Sequence, residues 1–485
     1  MIFSLNGHHH KYEPEKVCRL FFPFETFEFT DHGDPDDGIY TAVTEENGNF
    51  FASASVNADG KRVKKTITID GDADSSAAEL GIAKCLYYCL SKLTGITPEW
   101  GMLTGIRPVK LYSRLASEYG VIEAERLLKE EYSVGESKIR LTADCCASEK
   151  RIIETSKPLD FSLYVSIPFC PSRCSYCSFV SHSVTEARKL IPEYIKCLCE
   201  ELKTVSKTVK SEGLHLRTVY IGGGTPTVLD PEELLTVMTA INDNFNIASA
   251  DEYTVEAGRP DTLNREKLKV IKKLGATRIS VNPQTANDEV LRAVGRRHTF
   301  ADMKNAFAMA REEGFDNINT DLIAGLPTDT VDSFKNSIDA MLELDPENIT
   351  VHTLSMKRAS NLTGAGKMYD GADGARAAEM LAYADKKLRG AGILPYYMYR
   401  QNKTVGNLEN VGYSKPGYEG LYNVFIMDET HTIIACGASA ATKLKDPYGG
   451  HIERIFNYKY PYEYIGRFDV MLKRKNEISD FYKNL

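Results

Sequence analysis

The chain has 485 residues, of which 42% are hydrophobic and 26% charged, and its formal net charge is −8. A chain of this length exceeds one typical core, so we expect two or three domains. The acidic balance argues against broad electrostatic capture of nucleic acid, and no apolar run reaches the roughly 20 residues that cross a bilayer. The N-terminus turns polar too early for a secretory signal. We therefore expect a cytoplasmic protein without a membrane span and without a nucleic-acid partner.

Residues 1–155 are predicted to form a separate α+β domain. Alternating apolar and polar residues predict an antiparallel sheet with one solvated face, followed by helices. Pro108 suits the first turn of a helix, and the histidines at 8–10 are expected to form an exposed polar turn. The predicted strands are 25–30, 38–45, 49–57 and 64–70, and the predicted helices are about 75–94, 108–119, 122–132 and 135–155.

Residues 156–390 alternate between strand and helix patterns. Six such units in succession predict a parallel sheet with right-handed crossovers, so we expect an α/β fold, an open or partial (βα)6 barrel with its site at the carboxyl ends of the strands. Residues 391–485 are expected to pack on this barrel as a C-terminal extension, with a hairpin at 422–437. The predicted strands are 161–167, 218–223, 252–257, 278–283, 317–326 and 348–354, and the predicted helices are about 186–207, 231–244, 264–274, 300–313, 330–344 and 373–390.

Three of the eleven cysteines, Cys170, Cys174 and Cys177, lie within eight residues just after the first predicted barrel strand. In a chain without an export signal, clustered thiols indicate metal or redox chemistry. A structural zinc site normally has four ligands, whereas three cysteines suit a [4Fe–4S] cluster that leaves one iron open to an outside ligand. The remaining cysteines are expected to have no functional role, and four of them lie among apolar or small residues as core thiols: Cys18, Cys85, Cys89 and Cys436.

The CxxxCxxC spacing after a first strand resembles the signature of radical S-adenosylmethionine (SAM) enzymes. With it come YVSIPFCPSRCSYCSF, IGGGTPT, TVEAGRPDT, RISVNPQTANDEVLRAVGRRHT and NTDLIAGLPTDT, in the order seen in the oxygen-independent coproporphyrinogen III oxidase family. LTGIRP and NPQT are similar to the longer HemZ-type branch, the coproporphyrinogen dehydrogenases. The resemblance implies a radical SAM barrel with two cofactors, a [4Fe–4S] cluster on the three cysteines and SAM.

The resemblance also implies the SAM contacts. SAM would chelate the open iron, and the reduced cluster would cleave it to methionine and a 5′-deoxyadenosyl radical, while the protein orients the cofactors. In the GGGTP turn, Gly223, Gly224 and Thr225 would allow backbone approach to SAM, although a plain strand-to-helix turn would use the same glycines. The other matching positions are Tyr164, which also suits a core tyrosine, Glu256, Gln284, Arg296 and Asp321.

The implied reaction converts two propionates of coproporphyrinogen III to vinyl groups and yields protoporphyrinogen IX. Its partners are coproporphyrinogen III, a reductant for the cluster and an electron acceptor. A macrocycle with four carboxylates needs cationic anchors and a hydrophobic wall. Candidate anchors are Arg297, His298, Lys357, Arg358 and Arg400, and candidate wall residues are Tyr396, Tyr397 and Tyr399, although each also suits an ordinary surface or inter-domain contact. No residue is assigned as catalytic.

Two departures from the oxidase pattern leave a second function open. The oxidase branch has a further cysteine two residues after the third ligand, where this chain has Phe179. A sister branch of heme chaperones shares the barrel and carries an HNxxYW segment, which is ENVGYS here, with Glu409 in place of histidine. Glutamate is a poor heme ligand, although His352 or His431 would be suitable. RNA modification is a remote third alternative, because residues 1–155 lack a basic aromatic signature.

Overall fold

The computed structural model describes residues 1–31, 33–177, 182–355 and 371–485, which fall into two compact units. Unit 1 comprises Met1–Asp144, the described part of 367–378, and Tyr399–Glu409. Unit 2 comprises the described parts of Cys145–Gly366, with Glu379–Met398 and Asn410–Leu485. The division of the chain after residues 155 and 390 stays a prediction.

Unit 1 contains a five-stranded sheet in the order β2-β1-β3-β4-β5. The pairs β3–β4 and β4–β5 are antiparallel, as predicted, but β1 pairs in parallel with both β2 and β3. The all-antiparallel prediction is therefore wrong, because helix α1 carries the chain from β1 to β2 in the crossover that parallel pairing requires. The strands are β1 Ile2–Asn6, β2 Glu28–Thr30, β3 Gly38–Glu46, β4 Asn49–Ala58 and β5 Lys61–Ile69.

The core of unit 1 lies between this sheet and helix α2. Helix α2 begins after Ser75, whose side chain accepts a hydrogen bond from the Ala78 N–H, and ends at Gly95 in the left-handed conformation. His8 is buried and its Nε2 lies 3.1 Å from Thr41 Oγ1, so the expected exposure of residues 8–10 is wrong for His8, whereas His9 is exposed. The helices are α1 Tyr12–Phe21, α2 Ser76–Thr94, α3 Pro108–Tyr119, α4 Val121–Glu130 and α5 Glu136–Ile153.

Most residues of an open sheet of eleven strands belong to unit 2. Six strands lie side by side in chain order and are all parallel, β6, β9, β10, β11, β12 and β13. At one edge β16 pairs in parallel with β6, and β17 and β18 follow it as antiparallel strands. At the other edge β15 pairs antiparallel with β13, and β14 lies beside β15. The strands are β6 Asp160–Ile167, β7 Phe169–Cys170, β8 His182–Ser183, β9 His215–Gly223, β10 Glu252–Glu256, β11 Arg278–Ser280, β12 Ile318–Ala324, β13 Asn348–Thr353, β14 Leu394–Arg400, β15 Glu409–Ser414, β16 Thr432–Cys436, β17 Ala441–Lys445 and β18 Ile452–Phe456.

The helices of unit 2 follow the predicted alternation closely, except at 422–437. There the chain forms helix α14 and then β16, so the expected hairpin is wrong; Glu429, with a φ of 62°, ends the helix. The helices are α6 Val184–Ala187, α7 Ile191–Ser211, α8 Pro231–Asn244, α9 Arg265–Lys273, α10 Asp288–Ala293, α11 Phe300–Glu312, α12 Val331–Leu344, α13 Gly371–Gly390, α14 Leu421–Asp428, α15 Pro461–Gly466, α16 Phe468–Arg474 and α17 Asn476–Lys483.

The six parallel strands have one apolar and one polar face, because successive side chains point to opposite sides. On β6, Leu163 and Val165 are fully buried on the apolar face, and Tyr164 lies on the other. We call this other side the polar face. The register aligns its residues in rows across the strands: one row is Tyr164, Tyr220, Thr254 and Arg278, and the next includes Glu256, Ser280 and Asn319.

Candidate active site

The GGGTP turn packs tightly against the segment that carries the first cysteine. Thr225 donates its backbone N–H to Phe169 O at 2.8 Å. A Cβ on Gly224 would lie 2.4 Å from the same oxygen, so a larger residue does not fit. The hydroxyl of Thr225 donates to Cys170 Sγ at 3.5 Å. The turn therefore places backbone and hydroxyl donors beside the cysteine loop.

Glu256 ends β10 on the polar face, where it accepts a hydrogen bond from the hydroxyl of Tyr220 at 2.6 Å. A Cβ on Gly222 would lie 3.0 Å from Glu256 Oε2, so glycine leaves the carboxylate its space. Burial raises the pKa of Glu256 to about 7; the hydrogen bonds from Tyr220 and from the Gly223 backbone oppose the rise, and the charge of Asp321 adds to it. This carboxyl group therefore changes its charge near neutral pH.

Three tyrosines form a stacked layer on the polar face. Tyr164 and Tyr220 are register partners on β6 and β9, with ring centroids 6.2 Å apart. Tyr422 of α14 stacks on both, at 4.5 Å from Tyr220 and 6.2 Å from Tyr164. Tyr164, predicted to be either a SAM contact or a core tyrosine, belongs to this layer. The layer is an apolar surface next to the Glu256 carboxylate.

Asp321 lies on β12 within a second polar group. Its Oδ1 accepts a hydrogen bond from Asn319 Nδ2 at 2.8 Å, and its Oδ2 lies 3.7 Å from His352 Nε2. Burial alone would raise the pKa of Asp321, but the hydrogen bonds of His352 and Asn319 hold it below its ordinary value. Gln284, in the left-handed region with a φ of 72°, donates its backbone N–H to Asp321 O at 2.9 Å. These contacts keep Asp321 negatively charged and place Gln284 beside it.

The three loop cysteines form no disulfide. Cys174 is 8% exposed, and the backbone N–H of Cys177 donates to its carbonyl at 3.1 Å. The guanidinium of Arg296 lies within hydrogen-bonding reach of Cys174 and donates to Asn282 O at 2.5 Å. Arg296, predicted as a SAM contact, therefore lies against the cysteine loop.

The chemistry of the donors tests whether this loop suits an iron–sulfur cluster. Among the described residues, no group of three or more His, Cys, Asp or Glu side chains is arranged to hold a metal ion. The loop nevertheless supplies three soft thiol ligands, and the cation of Arg296 and the hydroxyl of Thr225 lie beside the sulfurs of Cys174 and Cys170. Cysteine sulfurs are the protein ligands of iron–sulfur clusters, and hydrogen-bond donors to those sulfurs are part of such sites. The donor set fits the group.

An ion-pair network around the buried Arg259 contacts the loop between the first two cysteines. Arg259 donates through Nη1 to Ser172 Oγ at 3.0 Å and pairs with Asp261 at 2.8 Å. His298 Nδ1 lies 3.6 Å from Asp261 Oδ1, and the His298 side chain is fully buried. His298, a predicted substrate anchor, therefore lies within the support of the loop. Arg297, the neighbouring candidate, is exposed.

Arg278 is a buried cation on the polar face that the sequence prediction missed. It is 1% exposed, and its Nε and Nη2 atoms have no hydrogen-bond partner among the described residues. Its charge acts on Tyr396, Glu252, Tyr220 and Tyr397, which surround it. The sequence signal that could have identified Arg278 is its place at the start of RISVNP. The alternation of side chains along β11 puts it on the same face of the sheet as Ser280.

The predicted wall and anchor residues divide between the two units. Tyr396 and Tyr397 are buried in unit 2, where Asn423 Nδ2 donates to Tyr396 Oη at 3.1 Å. Tyr399 and Arg400 belong to unit 1. The Arg400 guanidinium donates to the carbonyls of Leu103, Gly105 and Asn407. Arg400 therefore holds backbone of unit 1 in place and does not bind a carboxylate ligand. Lys357, Arg358 and Phe179 lie outside the described residues.

The candidate heme ligands have internal partners. Glu409 is 2% exposed in unit 1, where its carboxylate accepts hydrogen bonds from Lys138 Nζ at 2.6 Å and from Trp100 Nε1 at 2.7 Å. In unit 2, both ring nitrogens of His431 lie 2.8 Å from serine hydroxyls, those of Ser156 and Ser162. His352 lies beside Asp321, as described above.

Comparison with known proteins identifies the superfamily and the family. Residues 164–341 match the Radical SAM superfamily. The chain is 35% identical over 463 residues to the oxygen-independent coproporphyrinogen-III oxidase-like protein HemZ of Bacillus subtilis (strain 168), covering 94% of this chain and 92% of HemZ. It is 33% identical over 312 residues to the heme chaperone HemW of the same organism, covering 62% of this chain and 77% of HemW.

A solved structure shares the fold. The coproporphyrinogen III oxidase HemN of Escherichia coli, a radical SAM enzyme, superimposes with a TM-score of 0.53 at 23% identity, over 66% of this chain and 72% of HemN. None of the helices in the described ranges combines the length and apolar character needed to cross a membrane. The chain therefore belongs to the radical SAM superfamily and, within it, to the family of the coproporphyrinogen-III oxidase-like protein HemZ, with a [4Fe–4S] cluster and SAM as its cofactors.

Proposed function

We propose that this protein decarboxylates coproporphyrinogen III oxidatively and without oxygen, to give protoporphyrinogen IX. Each of two propionates loses one hydrogen atom, one carbon dioxide and one electron, and becomes a vinyl group; a separate acceptor takes the electron. The similarity to HemZ over 94% of the chain supports this assignment. The observation that carries it is the polar face, which combines an ionisable carboxyl, Glu256, a tyrosine layer and a buried cation without a full set of partners, Arg278.

Cys170, Cys174 and Cys177 would hold the cluster. When bound, the cluster and SAM supply a 5′-deoxyadenosyl radical. The chain itself would orient the cluster and stabilise the negative charge on its sulfur ligands. Thr225 donates to Cys170 Sγ at 3.5 Å, and the Arg296 cation lies against Cys174.

The remaining predicted SAM contacts would orient polar groups of that molecule. The turn at Gly223, Gly224 and Thr225 would present its backbone to SAM next to the cysteine loop, where Gly224 packs against Phe169. Glu256 and Asp321 are carboxyl groups, and Gln284 is an amide that accepts and donates hydrogen bonds. Because Asp321 is held ionised and Glu256 titrates near pH 7, the two would present different charge states to the ligand at low pH.

Arg278 would anchor one carboxylate of the macrocycle. Its Nε and Nη2 hydrogens lack partners in the described residues, and burying such donors unsatisfied is costly. A propionate carboxylate would pair with both in the forked geometry that guanidinium groups favour. Tyr396 and Tyr397 beside it, together with the tyrosine layer, would contact the apolar ring.

A heme-chaperone function is the alternative, and the similarity to HemW favours it. That function would need a side chain able to reach the heme iron. Glu409 and His431 are engaged by Lys138, Trp100 and two serines, so neither is available without breaking a buried contact. His352, whose side chain is 27% exposed beside Asp321, stays the candidate heme ligand of this alternative.

The test is anaerobic reconstitution with SAM and coproporphyrinogen III, followed by chromatography for tri- and dicarboxylate products. We expect both products from the wild type. Arg278→Gln should raise the KM for coproporphyrinogen roughly 10-fold or more, because a charged hydrogen bond contributes about 1.5–3 kcal/mol. The control Arg265→Gln, on an exposed side chain that pairs with Glu312 and Glu313, should leave KM unchanged. Tight stoichiometric heme binding without any decarboxylated product would favour the chaperone instead.

A further inference from the structure

The segment that follows strand β10 contacts both the cysteine loop and the GGGTP turn. We call this segment, residues 259–262, the RPDT turn. Its Arg259 donates through Nη1 to Ser172 Oγ at 3.0 Å and to Ser172 O at 3.4 Å, between the first two cysteines. At its other end, the hydroxyl of Thr262 lies 2.7 Å from that of Thr227, the residue after GGGTP. The RPDT turn therefore joins the two segments that would hold the cofactors.

Further hydrogen bonds close a circuit between these three segments. Thr225 of the GGGTP turn donates its backbone N–H to Phe169 O at 2.8 Å, at the start of the cysteine loop. Lys267 of α9 links the other two segments, because its Nζ donates to the carbonyls of Thr227 at 2.6 Å and of Thr262 at 2.9 Å. Each segment is thus hydrogen-bonded directly or through one side chain to both of the others.

Arg259 supplies the contact between the RPDT turn and the cysteine loop. Its side chain is 3% exposed, and it binds two partners through different nitrogens. Nη1 donates to Ser172, while Nε and Nη2 donate to the two carboxylate oxygens of Asp261 at 2.9 Å and 2.8 Å. The planar guanidinium is rigid, so its fork on Asp261 fixes the direction of Nη1. Arg259 therefore holds Ser172 at a set position relative to the end of β10.

The energetics of this pair favour a role in geometry. Removing a cation from water is costly, and a buried ion pair contributes little net stability compared with apolar side chains of similar size. Such a pair can, however, select one conformation of the segments that it joins. The selected conformation here is that of the loop with Cys170, Cys174 and Cys177.

Both cofactors depend on the position of that loop. Three cysteines have to converge on one cluster, and SAM has to reach the open iron beside the GGGTP turn. We propose that Arg259 is a positioning residue that sets the cysteine loop relative to the GGGTP turn, and thereby controls cluster retention and SAM affinity. This inference rests on the proposed cluster ligands and SAM contacts, and it does not depend on the identity of the substrate.

Two variants separate positioning from charge. Arg259→Lys keeps the cation, but a single ammonium on a flexible stem lacks the planar fork that directs one nitrogen to Ser172. Ser172→Ala leaves the Arg259–Asp261 pair in place and removes the hydroxyl, which also donates to Gly295 O at 3.2 Å. A residue that acts through charge alone would be replaced by lysine, and a positioning residue would not.

The experiment measures two properties of the anaerobically reconstituted protein. One is the rate at which EDTA removes iron, followed by the loss of cluster absorbance. The other is the SAM affinity, titrated through the electron paramagnetic resonance spectrum of the reduced cluster. Residues that orient metal ligands typically change metal affinity or activity by about 10–100-fold. We expect Arg259→Lys to lose iron about 5-fold faster or more and to bind SAM about 5-fold more weakly or more, and Ser172→Ala to change both by about 3-fold or more.

The matched control is Arg217→Lys. Arg217 also binds two carboxylates, those of Asp160 at 2.7 Å and Asp251 at 2.6 Å, but it lies at the opposite, amino-terminal end of the parallel strands. It should leave the iron-loss rate and the SAM affinity within about twofold of the wild type. An equal change in this control would show general destabilisation and refute the proposal.

The proposal also fails if Arg259→Lys keeps either property within about twofold of the wild type. If Arg259→Lys does not fold, Ser172→Ala decides by the same criterion. A wild type that binds no iron would overturn the cluster ligands and this inference together. An intact cluster with normal SAM affinity but no decarboxylated product would overturn only the proposed substrate.

Discussion

Replacing Tyr220 with phenylalanine should shift the pH dependence of SAM binding upward. The hydroxyl of Tyr220 donates to Glu256 Oε1 at 2.6 Å, and this bond holds down a pKa that burial raises to about 7. A hydrogen bond to a charged group contributes about 1.5–3 kcal/mol. At 1.36 kcal/mol per pKa unit, its loss raises the pKa of Glu256 by about one to two units. The carboxyl group would then be mostly protonated at neutral pH.

The assay is the SAM affinity of the reconstituted protein from about pH 6 to about pH 9.5, spanning both pKa values. If Glu256 binds SAM as a carboxylate, the wild-type affinity rises through about pH 7, and the Tyr220→Phe curve rises about one to two units higher. The control is Tyr253→Phe, on the same strand as Glu256. The hydroxyl of Tyr253 has no hydrogen-bond partner among the described residues. An unshifted midpoint in Tyr220→Phe, or an equal shift in the control, would refute the reasoning.

Three further changes test the cysteine loop and the buried charges. Replacing any of the three loop cysteines with alanine should abolish cluster absorbance and reductive SAM cleavage together, whereas Cys197→Ala, in the buried side of α7, should retain both; intact cleavage in all three would contradict the ligand assignment. Glu201→Leu leaves the Lys475 cation buried and unpaired, so thermal unfolding should show a destabilisation of about 3–5 kcal/mol. Burial lowers the pKa of His431 from 6.5 to about 3. The unfolded chain therefore binds the proton first, and this residue makes the free energy of unfolding fall as the pH drops from 6.5 towards 3. Urea unfolding of His431→Gln should show a smaller loss of stability between those two pH values.

Local sequence patterns predicted the repeated elements well. Pro108 begins α3 as expected, and the predicted strand at 348–354 is β13 Asn348–Thr353. Period-two alternation and segment length were sufficient to locate the strands, because both are properties of short segments. The element at 422–437 failed for the same reason: its apolar run suits a strand or a buried helix, and burial of Tyr422 and Phe425 selected the helix.

The candidate site was predictable where motif and position carry the chemistry. The cysteine loop, the GGGTP turn and Glu256 all follow parallel strands, and the carboxyl ends of such strands lie at one edge of a sheet. Arg278 was missed because its motif, RISVNP, reads only as a strand, and its significance comes from the unpaired donors that burial leaves.

The motifs of the chain were sufficient to identify the superfamily by resemblance, and the alternation of strands and helices was sufficient to predict six parallel strands with the three-cysteine loop after the first, since both signals are local. The contacts between polar groups that are distant along the chain follow from tertiary packing. Glu409 meets Lys138 from 271 residues away, and the ring of His182 meets that of Tyr460 across the fold. Such contacts depend on how distant segments pack and on which buried charges find partners there, and no short pattern in the chain encodes them.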